Sequence, residues 1–151
     1  WCIAHGTPVA TVTPRRSPLR DLPDVLGCFT LSGAGDLTAL LAQVIGPLVV
    51  FADDAGTLLD TEMEAVLTDL LQRADGRPWA LVLAGVTDEL ITTYRGITTA
   101  ARRNKAGLLI SPSGPVDGEV LGVRLPRGVG ARVGRGVVAV RGATTPVQVA
   151  F

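Results

Sequence analysis

The chain has 151 residues, of which 47% are hydrophobic and 19% are charged, and its 14 basic side chains balance 14 acidic ones. This length provides for one domain with a buried core, and the low charged fraction excludes an intrinsically disordered chain. The 2 cysteines are too few for a disulfide framework. The longest uncharged run, residues 37–52, contains Gly46-Pro47 and is too short for a membrane-spanning helix.

The neutral total hides a division of charge along the chain. Residues 48–94 contain nine acids and two arginines, which gives this segment a net charge of −7. Residues 95–151 contain nine bases and two acids, which gives a net charge of +7. Neutrality therefore does not exclude a charged partner for either segment.

Strands and helices alternate over the first 111 residues. Short β-branched or continuously apolar runs predict strands, and apolar residues at helical spacing predict helices. The predicted strands are 8–13, 27–31, 48–52, 79–84 and 108–110, and the predicted helices are 37–45, 60–74 and 87–103. Asp36 and Thr87 stand where the first and last of these helices would be capped. Continuously apolar strands are typical of a parallel sheet covered on both faces.

Beyond Ser111 the pattern changes to glycine-rich segments with a period of two residues, which predict antiparallel strands and hairpins. The segments with this pattern are 119–125, 136–141 and 146–151. Glycines at 128, 130, 134 and 136 do not open a helix after a strand, so they predict turns rather than a dinucleotide-binding loop. We interpret residues 1–151 as a single α/β domain, with a mainly parallel core over about 1–111 and a β-rich extension over about 112–151.

Two acids follow the apolar strand predicted at 48–52. They are Asp53 and Asp54, and ligands of parallel α/β sheets bind at the carboxyl ends of strands. In P-loop NTPases an acid at this position holds Mg²⁺ against the nucleotide phosphates, and a second acid orients the attacking water. The alternative is an ordinary exit from a strand into a loop, where aspartate is common.

A phosphate-binding loop is missing from these residues. The Walker A pattern, Gly-x4-Gly-Lys-Ser/Thr, requires a lysine, and the only lysine, Lys105, lies in the unrelated run 102–107. The chain as it stands therefore cannot build a complete nucleotide site. Arg102 and Arg103 close the last predicted helix, where the helix dipole favours cations. The alternative for these arginines is an arginine finger that contacts a neighbour's γ-phosphate.

Several segments, in a fixed order, carry a resemblance to one family. They are 12–22, 48–54, 83–89, 101–112, and 117–126 with 134–136 and 147–150. They resemble segments of FtsK/SpoIIIE-type ATPases, in the branch of the EccC/EssC motors of type VII secretion. In chain order they are similar to the strand and loop after the family's first helix, the Walker B strand, the sensor strand, the approach to the last core strand and the C-terminal signature. The resemblance covers nearly all of the chain. It implies a truncated RecA-like P-loop NTPase core whose first strand and P-loop lie before Trp1.

The resemblance also implies ATP and Mg²⁺ as cofactors and a role for individual residues. Asp53 would hold Mg²⁺, Asp54 would position the attacking water, and Thr87 would sense the phosphate. Arg102 or Arg103 would act across a ring interface. Active members usually carry glutamate at the position of Asp54, and aspartate is one methylene shorter.

The implied function is the coupling of ATP binding and hydrolysis to the export of small helical proteins. The implied location is the cytoplasmic face of the cell membrane, with the membrane anchor in an N-terminal part and no membrane contact by this segment. Other ATPase modules of the same chain or ring are the implied partners. Two alternatives stay open: a catalytically silent module that docks substrates or neighbouring modules, and a DNA translocase of the same superfamily, for which the basic segment 95–141 is the relevant feature.

The resemblance leads to two physical expectations. In the family's sheet the P-loop strand lies between the sensor strand and the last core strand, so its absence leaves unpaired edges there. We therefore expect residues 1–151 alone to be marginally stable, to aggregate or to close the gap between strands. In a ring, the acidic segment 48–94 of one subunit would face the basic segment 95–151 of the next, and high salt would then weaken assembly.

Overall fold

The fold is that of a computed structural model, which describes residues 2–125 and 133–149. Trp1, the glycines at 128 and 130, and the ends of the predicted C-terminal signature at Pro126 and Ala150 lie outside the described residues. The chain divides into two compact units, Trp1–Val86 and Thr87–Phe151, which we call unit 1 and unit 2.

Unit 1 contains a parallel sheet whose strands are connected through helices. The strands are β1 (Val9–Val12), β2 (Gly27–Phe29), β3 (Leu48–Ala52) and β4 (Trp79–Leu83), and the helices are α1 (Ala34–Gln43) and α2 (Glu62–Arg73). The strand order is β2-β1-β3-β4, and every neighbouring pair is parallel. Helices α1 and α2 connect β2 to β3 and β3 to β4, since parallel neighbours need a crossover connection. The predicted α/β alternation is confirmed here.

Strand β1 is buried on both faces of this sheet, whereas β3 is more deeply buried on one face than on the other. Leu48, Val50 and Ala52 alternate along β3 and are fully buried, whereas the residues between them are only half-buried. Helix α2 packs on β4 and presents Met63, Leu67 and Leu70 from one face, the spacing of an amphipathic helix. Val82, which shares the other sheet face, is 43% exposed. The sequence predicted strands covered on both faces, and for β4 this is wrong.

Helix α1 begins earlier than predicted. It starts at Ala34 with Gly33 as its N-cap, and Asp36 lies in the first turn rather than at the cap. A carboxylate in the first turn still interacts favourably with the helix dipole. Helix α2 has a side-chain cap, because the Oγ1 atom of Thr61 accepts a hydrogen bond from the backbone N–H of Glu64 at 3.1 Å.

Trp79, the first residue of β4, contacts the turn that precedes β3. Trp79 is 6% exposed, and its Nε1 atom donates a hydrogen bond to the carbonyl oxygen of Gly46 at 3.0 Å. The guanidinium carbon of Arg77 lies 4.6 Å from the centre of the ring, a cation–π arrangement. The Gly46-Pro47 turn predicted from the sequence is thus held by a side chain from the next strand.

Unit 2 contains two short helices and an antiparallel sheet. The helices are α3 (Thr87–Thr92) and α4 (Gly96–Arg102), and the strands are β5 (Ala106–Ile110), β6 (Arg135–Val140) and β7 (Ala143–Gln148). The strand order is β5-β6-β7 with antiparallel neighbours. A tight turn at Arg141-Gly142 joins β6 to β7, and both residues have positive φ, as a type I′ hairpin requires. The hairpins predicted for the C-terminal end are confirmed.

Three predictions for unit 2 are wrong. The single helix 87–103 is two helices, because Thr93, Tyr94 and Arg95 leave the helical path and Gly96 has φ +77. The strand predicted at 119–125 is absent; Pro115–Leu121 instead forms a 3-10 helix that ends at Gly122 with φ +63. The third concerns β5, predicted to be buried on both faces. Leu109 is buried, but Leu108 and Ile110 are 46% and 53% exposed.

Strand β4 of unit 1 and strand β5 of unit 2 are each at the edge of their own sheet. Among residues 2–125 and 133–149, β4 pairs only with β3 and β5 pairs only with β6. This agrees with the expectation that two edges lack their partner when the P-loop strand is absent. Exposed apolar side chains accompany both edges, Val82 on β4 and Leu108 and Ile110 on β5. No helix within the described residues has the length and apolar character needed to cross a membrane.

Candidate functional site

The residues that follow β1 and β3 meet at the carboxyl edge of the parallel sheet in unit 1. Strands β1 and β3 are parallel neighbours, so their carboxyl ends lie side by side. The Oγ atom of Ser17, in the loop after β1, donates a hydrogen bond to Oδ2 of Asp53 at 2.6 Å. Ser17 is 5% exposed, so this contact is shielded from solvent. The loop after one strand therefore orients the acid at the end of its neighbour.

The second carboxylate oxygen of Asp53 also has a donor. The backbone N–H of Asp54 donates to Oδ1 of Asp53 at 3.0 Å. The backbone N–H of Asp53 donates to the carbonyl oxygen of Val12 at 2.9 Å and so extends the ladder between β1 and β3. Main chain and side chain of Asp53 are both fixed, and this is the preorganisation that a ligand-binding carboxylate requires.

Asp54 has a left-handed backbone conformation, with φ 48 and ψ 46. Aspartate is one of the few residues other than glycine that adopt this conformation at modest cost. The carbonyl oxygen of Asp54 accepts hydrogen bonds from the backbone N–H and the Oγ1 atom of Thr57 at 2.9 and 2.8 Å. The chain therefore turns sharply at Asp54, and Asp53 and Asp54 are both half-buried.

Thr13 and Arg20 hold the loop after β1 in place. The Nε atom of Arg20 donates to Oγ1 of Thr13, and its Nη2 atom donates to the carbonyl oxygen of the same residue, both at 3.0 Å. Ser17 also begins a 3-10 turn, since its Oγ atom accepts a hydrogen bond from the backbone N–H of Leu19 at 3.2 Å. These contacts fix the side chain that orients Asp53.

The donor set at this edge fits a magnesium ion that is shared with a nucleotide. Mg²⁺ is usually held by one or two carboxylates, and phosphate oxygens and water complete its octahedron. Asp53 and Asp54 would provide the carboxylates for such an ion, and Ser17 an adjacent hydroxyl. Within the described residues no group of three or more His, Cys, Asp or Glu side chains is placed to hold a metal. Two carboxylates and a hydroxyl leave the remaining positions of such an ion to phosphate oxygens and water.

Arg102 in unit 2 caps the helix that precedes it. Its Nη1 atom donates to the carbonyl oxygens of Leu90, Ile91 and Thr93, at 3.2, 3.3 and 3.4 Å. These carbonyls lie at the end of α3, where they have no partner within the helix. Where the predicted single helix is interrupted, Arg102 returns from the end of α4 and satisfies the end of α3.

The other predicted site residues of unit 2 have different surroundings. Thr87 is the first residue of α3 and is half-buried. Arg103 follows α4 and is exposed. Arg102 and Arg103 line one surface pocket of about 370 Å³, together with Thr93, Tyr94, Thr99, Lys105, Glu119, Val120 and Gly122. The structure thus brings Asp53 and Asp54 together in unit 1, and Arg102 and Arg103 together in unit 2.

Sequence reasoning did not find the residues that orient Asp53. In the sequence, Ser17, Thr13 and Arg20 lie only within the segment 12–22, and no local pattern marks them as site residues. The signal that finds them is topological: polar residues that follow one parallel strand lie beside those that follow its neighbour. Without the strand order, that adjacency is not visible in the sequence.

The chain resembles known proteins in structure rather than in sequence. No protein-family model matches it, and neither does any curated protein. The cytoplasmic domain of EssC matches 94% of this chain with a TM-score of 0.70 at 12% identity. EssC ATPases 2 and 3 from Geobacillus thermodenitrificans match 94% with a TM-score of 0.68 at 12% identity.

A further match is EccC ATPases 2 and 3 from Thermomonospora curvata, solved in complex with a signal sequence peptide. It covers 96% of this chain with a TM-score of 0.68 at 17% identity. The chain spans between 31% and 33% of the length of these three structures. At such identities the likeness establishes the fold. The chain has the fold of the EssC/EccC ATPase domains, and the resemblance predicted from the sequence is confirmed at that level.

Proposed function

We propose that this chain is an ATPase module of an FtsK/SpoIIIE-type translocase, which couples ATP binding and hydrolysis to protein export of the type VII kind. The observation that carries the proposal is Asp53, which ends a central strand of a parallel sheet and has both carboxylate oxygens oriented by donors. The fold shared with the EssC/EccC ATPase domains supports it. ATP and Mg²⁺ are the cofactors in this proposal, with Asp53 as the metal ligand and Asp54 as the residue that positions water.

The remaining roles fall to residues of unit 2. Thr87 senses the phosphate, and Arg102 or Arg103 contacts the nucleotide of a neighbouring module. Arg103 is the better candidate for that contact, since Nη1 of Arg102 is already engaged by three carbonyl oxygens. The nucleotide phosphates require a Walker A loop from outside residues 1–151, because the sequence contains none.

The proposed partners are other ATPase modules in a hexameric ring and small helical secreted proteins, at the cytoplasmic face of the membrane. The EccC structure that resembles this chain contains a signal sequence peptide, and this supports a secreted protein as cargo. Nothing in the comparisons supports the DNA alternative.

A catalytically silent docking module is the second candidate. Two observations favour it: Asp54 is a methylene shorter than the glutamate usual in active members, and its backbone is left-handed. In that case the module would bind partners or nucleotide with little turnover. Partner docking is common to both candidates, so the distinction between them lies in hydrolysis.

The test measures ATP hydrolysis in a polypeptide that carries these residues together with a Walker A loop. If Asp54 positions the attacking water, Asp54→Asn lowers kcat by about 10²- to 10⁴-fold, the usual contribution of a general base. Asp53→Asn raises the Mg²⁺ concentration needed for half-maximal activity. Asp75→Asn, on an exposed turn of unit 1, is the matched control and leaves both quantities unchanged. Unaltered hydrolysis and secretion in Asp54→Asn would overturn the catalytic proposal in favour of the docking module.

A further inference from the structure

The pocket in unit 2 is unusual for its charge. It lies where the end of α4, the segment between α3 and α4 and the 3-10 helix Pro115–Leu121 come together, and its volume is about 370 Å³. Arg102, Arg103 and Lys105 line it, with Glu119 as the single acid in its wall. The wall therefore carries two positive charges in excess. A cavity lined by one sign of charge concentrates ligands of the opposite sign.

Two of these cations have no partner in the described part of the chain. Among residues 2–125 and 133–149, the side chains of Arg103 and Lys105 make no hydrogen bond and no ion pair. Arg102 differs, since Nη1 of this residue caps α3. Arg103 and Lys105 are thus the groups whose charge is available to a ligand, and Arg102 stabilises the wall beside them.

The position of Lys105 is fixed by its main chain. Its N–H donates to the carbonyl oxygen of Arg102 at 3.0 Å, and its carbonyl oxygen accepts from the N–H of Arg141 at 3.0 Å. Its side chain passes over Gly122, where an added Cβ would lie 3.7 Å from the Cε atom. A lysine held at its base and supported along its stem presents its ammonium group at a defined place.

We propose that this pocket binds a phosphate monoester group. A monoester carries a charge of about −1.5 to −2 at pH 7, which matches the excess charge of the wall, whereas a single carboxylate does not. Arginine and lysine are the side chains that bind phosphate most strongly, through charge-assisted hydrogen bonds. The inference differs from the role proposed above for Arg103, because here the phosphate is bound by residues of unit 2 alone and requires neither a Walker A loop nor a second subunit.

The group that carries the phosphate is expected to be flat. The pocket is larger than a phosphate group, and the ring of Tyr94 in its wall is 86% exposed. An aromatic side chain next to cations is the arrangement that stacks a base while the cations hold its phosphate. A mononucleotide and inorganic phosphate share the charged group, and they differ in whether Tyr94 contributes.

The experiment titrates a folded polypeptide that contains residues 1–151 with inorganic phosphate, ribose 5-phosphate, AMP and acetate, and follows the backbone amide shifts of the pocket residues by NMR. We expect saturable shifts at residues of the pocket for the three phosphates, and none for acetate. The double variant Arg103→Gln/Lys105→Gln weakens phosphate binding by about ten-fold or more, since two charge-assisted contacts are lost. The control Arg135→Gln, an exposed cation on β6 outside the pocket, changes binding by less than about two-fold, as expected for a surface charge.

Glu119→Gln is expected to change the affinity for phosphate in the opposite direction, and a purely structural role of Glu119 would not produce this result. Removal of the single acid tightens phosphate binding by about two- to five-fold, the range of one exposed charge interaction. Tighter binding of AMP than of ribose 5-phosphate, abolished by Tyr94→Ala, identifies a nucleotide. Equal binding of all three phosphates identifies a site for the phosphate group alone.

Three results would overturn the proposal. They are the absence of saturable phosphate binding in a folded sample, equal weakening in Arg135→Gln and the double variant, or acetate binding as tight as phosphate. Amide spectra of the unliganded variants that superimpose on the wild-type spectrum outside the pocket establish that folding is retained.

Discussion

Unit 1 and unit 2 hold their polar groups in place by different means. In unit 1 the acids follow a strand, and their positions come from the hydrogen-bond ladder between β1 and β3. In unit 2 the cations lie at a helix end and in a turn, where the side chain of Arg102 is held by backbone carbonyl oxygens and Lys105 is held by its main chain. The acids of unit 1 are thus placed by a ladder between neighbouring strands, and the cations of unit 2 by contacts at the ends of short helices.

The two units also differ in charge. Unit 1 contains ten acids and five bases, a net charge of −5, and unit 2 contains four acids and nine bases, a net charge of +5. The division predicted from the sequence therefore follows the boundary between the units closely. That salt weakens a charge-paired ring assembly stays a prediction.

Leu67→Ala is expected to have the largest effect and tests whether the units unfold separately. Leu67 of α2 is fully buried, and truncation of a buried leucine costs about 2–5 kcal/mol. Amide hydrogen exchange should lose protection in unit 1 and keep it in unit 2. Gln72→Ala, on an exposed position of the same helix, is the control. Equal loss of protection in both units would mean that they form one cooperative unit.

Alanine substitutions at two glycines, one in each unit, are expected to have intermediate effects on stability. At Gly136 on β6 an added Cβ would clash with the backbone oxygen of Leu109, so Gly136→Ala separates β5 from β6 and costs about 1–3 kcal/mol. At Gly35 on α1 no atom lies within 4 Å of the added Cβ, and Gly35→Ala stabilises by about 0.5–1 kcal/mol through helix propensity. Thermal unfolding followed by circular dichroism measures both; effects of the same sign would contradict the packing described for unit 2.

Arg102→Met is expected to have the smallest effect, and it probes how side chains hold unit 2. The change keeps the apolar stem of Arg102 and removes the donors to three carbonyl oxygens, at a cost of about 1 kcal/mol because the site is partly exposed. Exchange of the amides of α3 should accelerate, while that of β6 does not. Arg103→Met is the control, since Arg103 makes no such contact among the described residues. Unchanged exchange in α3 would mean that its end does not depend on Arg102.

The sequence was most informative where a local pattern decides the structure. The apolar run before Asp53 predicted β3 and the position of the acid, because a strand that continuous has few alternatives. The hairpin region from 136 onward was predicted for the same reason, since its glycines and alternation are local. The resemblance to FtsK/SpoIIIE-type ATPases indicated which predicted strands correspond to the Walker B strand, the sensor strand and the last core strand of that family.

The predictions that were wrong depended on contacts between distant residues. The break between α3 and α4 depends on Arg102, 12 positions beyond Leu90. The exposure of Leu108 and Ile110 depends on which neighbours β5 has, and a strand's own residues do not specify that. The contact between Ser17 and Asp53 joins residues 36 positions apart. It becomes predictable once β1 and β3 are known to be neighbours.

The burial of Trp79 has a spectroscopic consequence. Both tryptophans of the chain, Trp1 and Trp79, belong to unit 1, and unit 2 contains the single tyrosine, Tyr94. Tryptophan emission therefore reports on unit 1. Trp79 is buried and hydrogen-bonded to Gly46, so its emission should shift to longer wavelength when that unit unfolds. Tyr94, an exposed residue of the pocket in unit 2, contributes tyrosine absorbance from that unit. The chain thus carries a separate optical reporter for each of its two halves, and no label is needed.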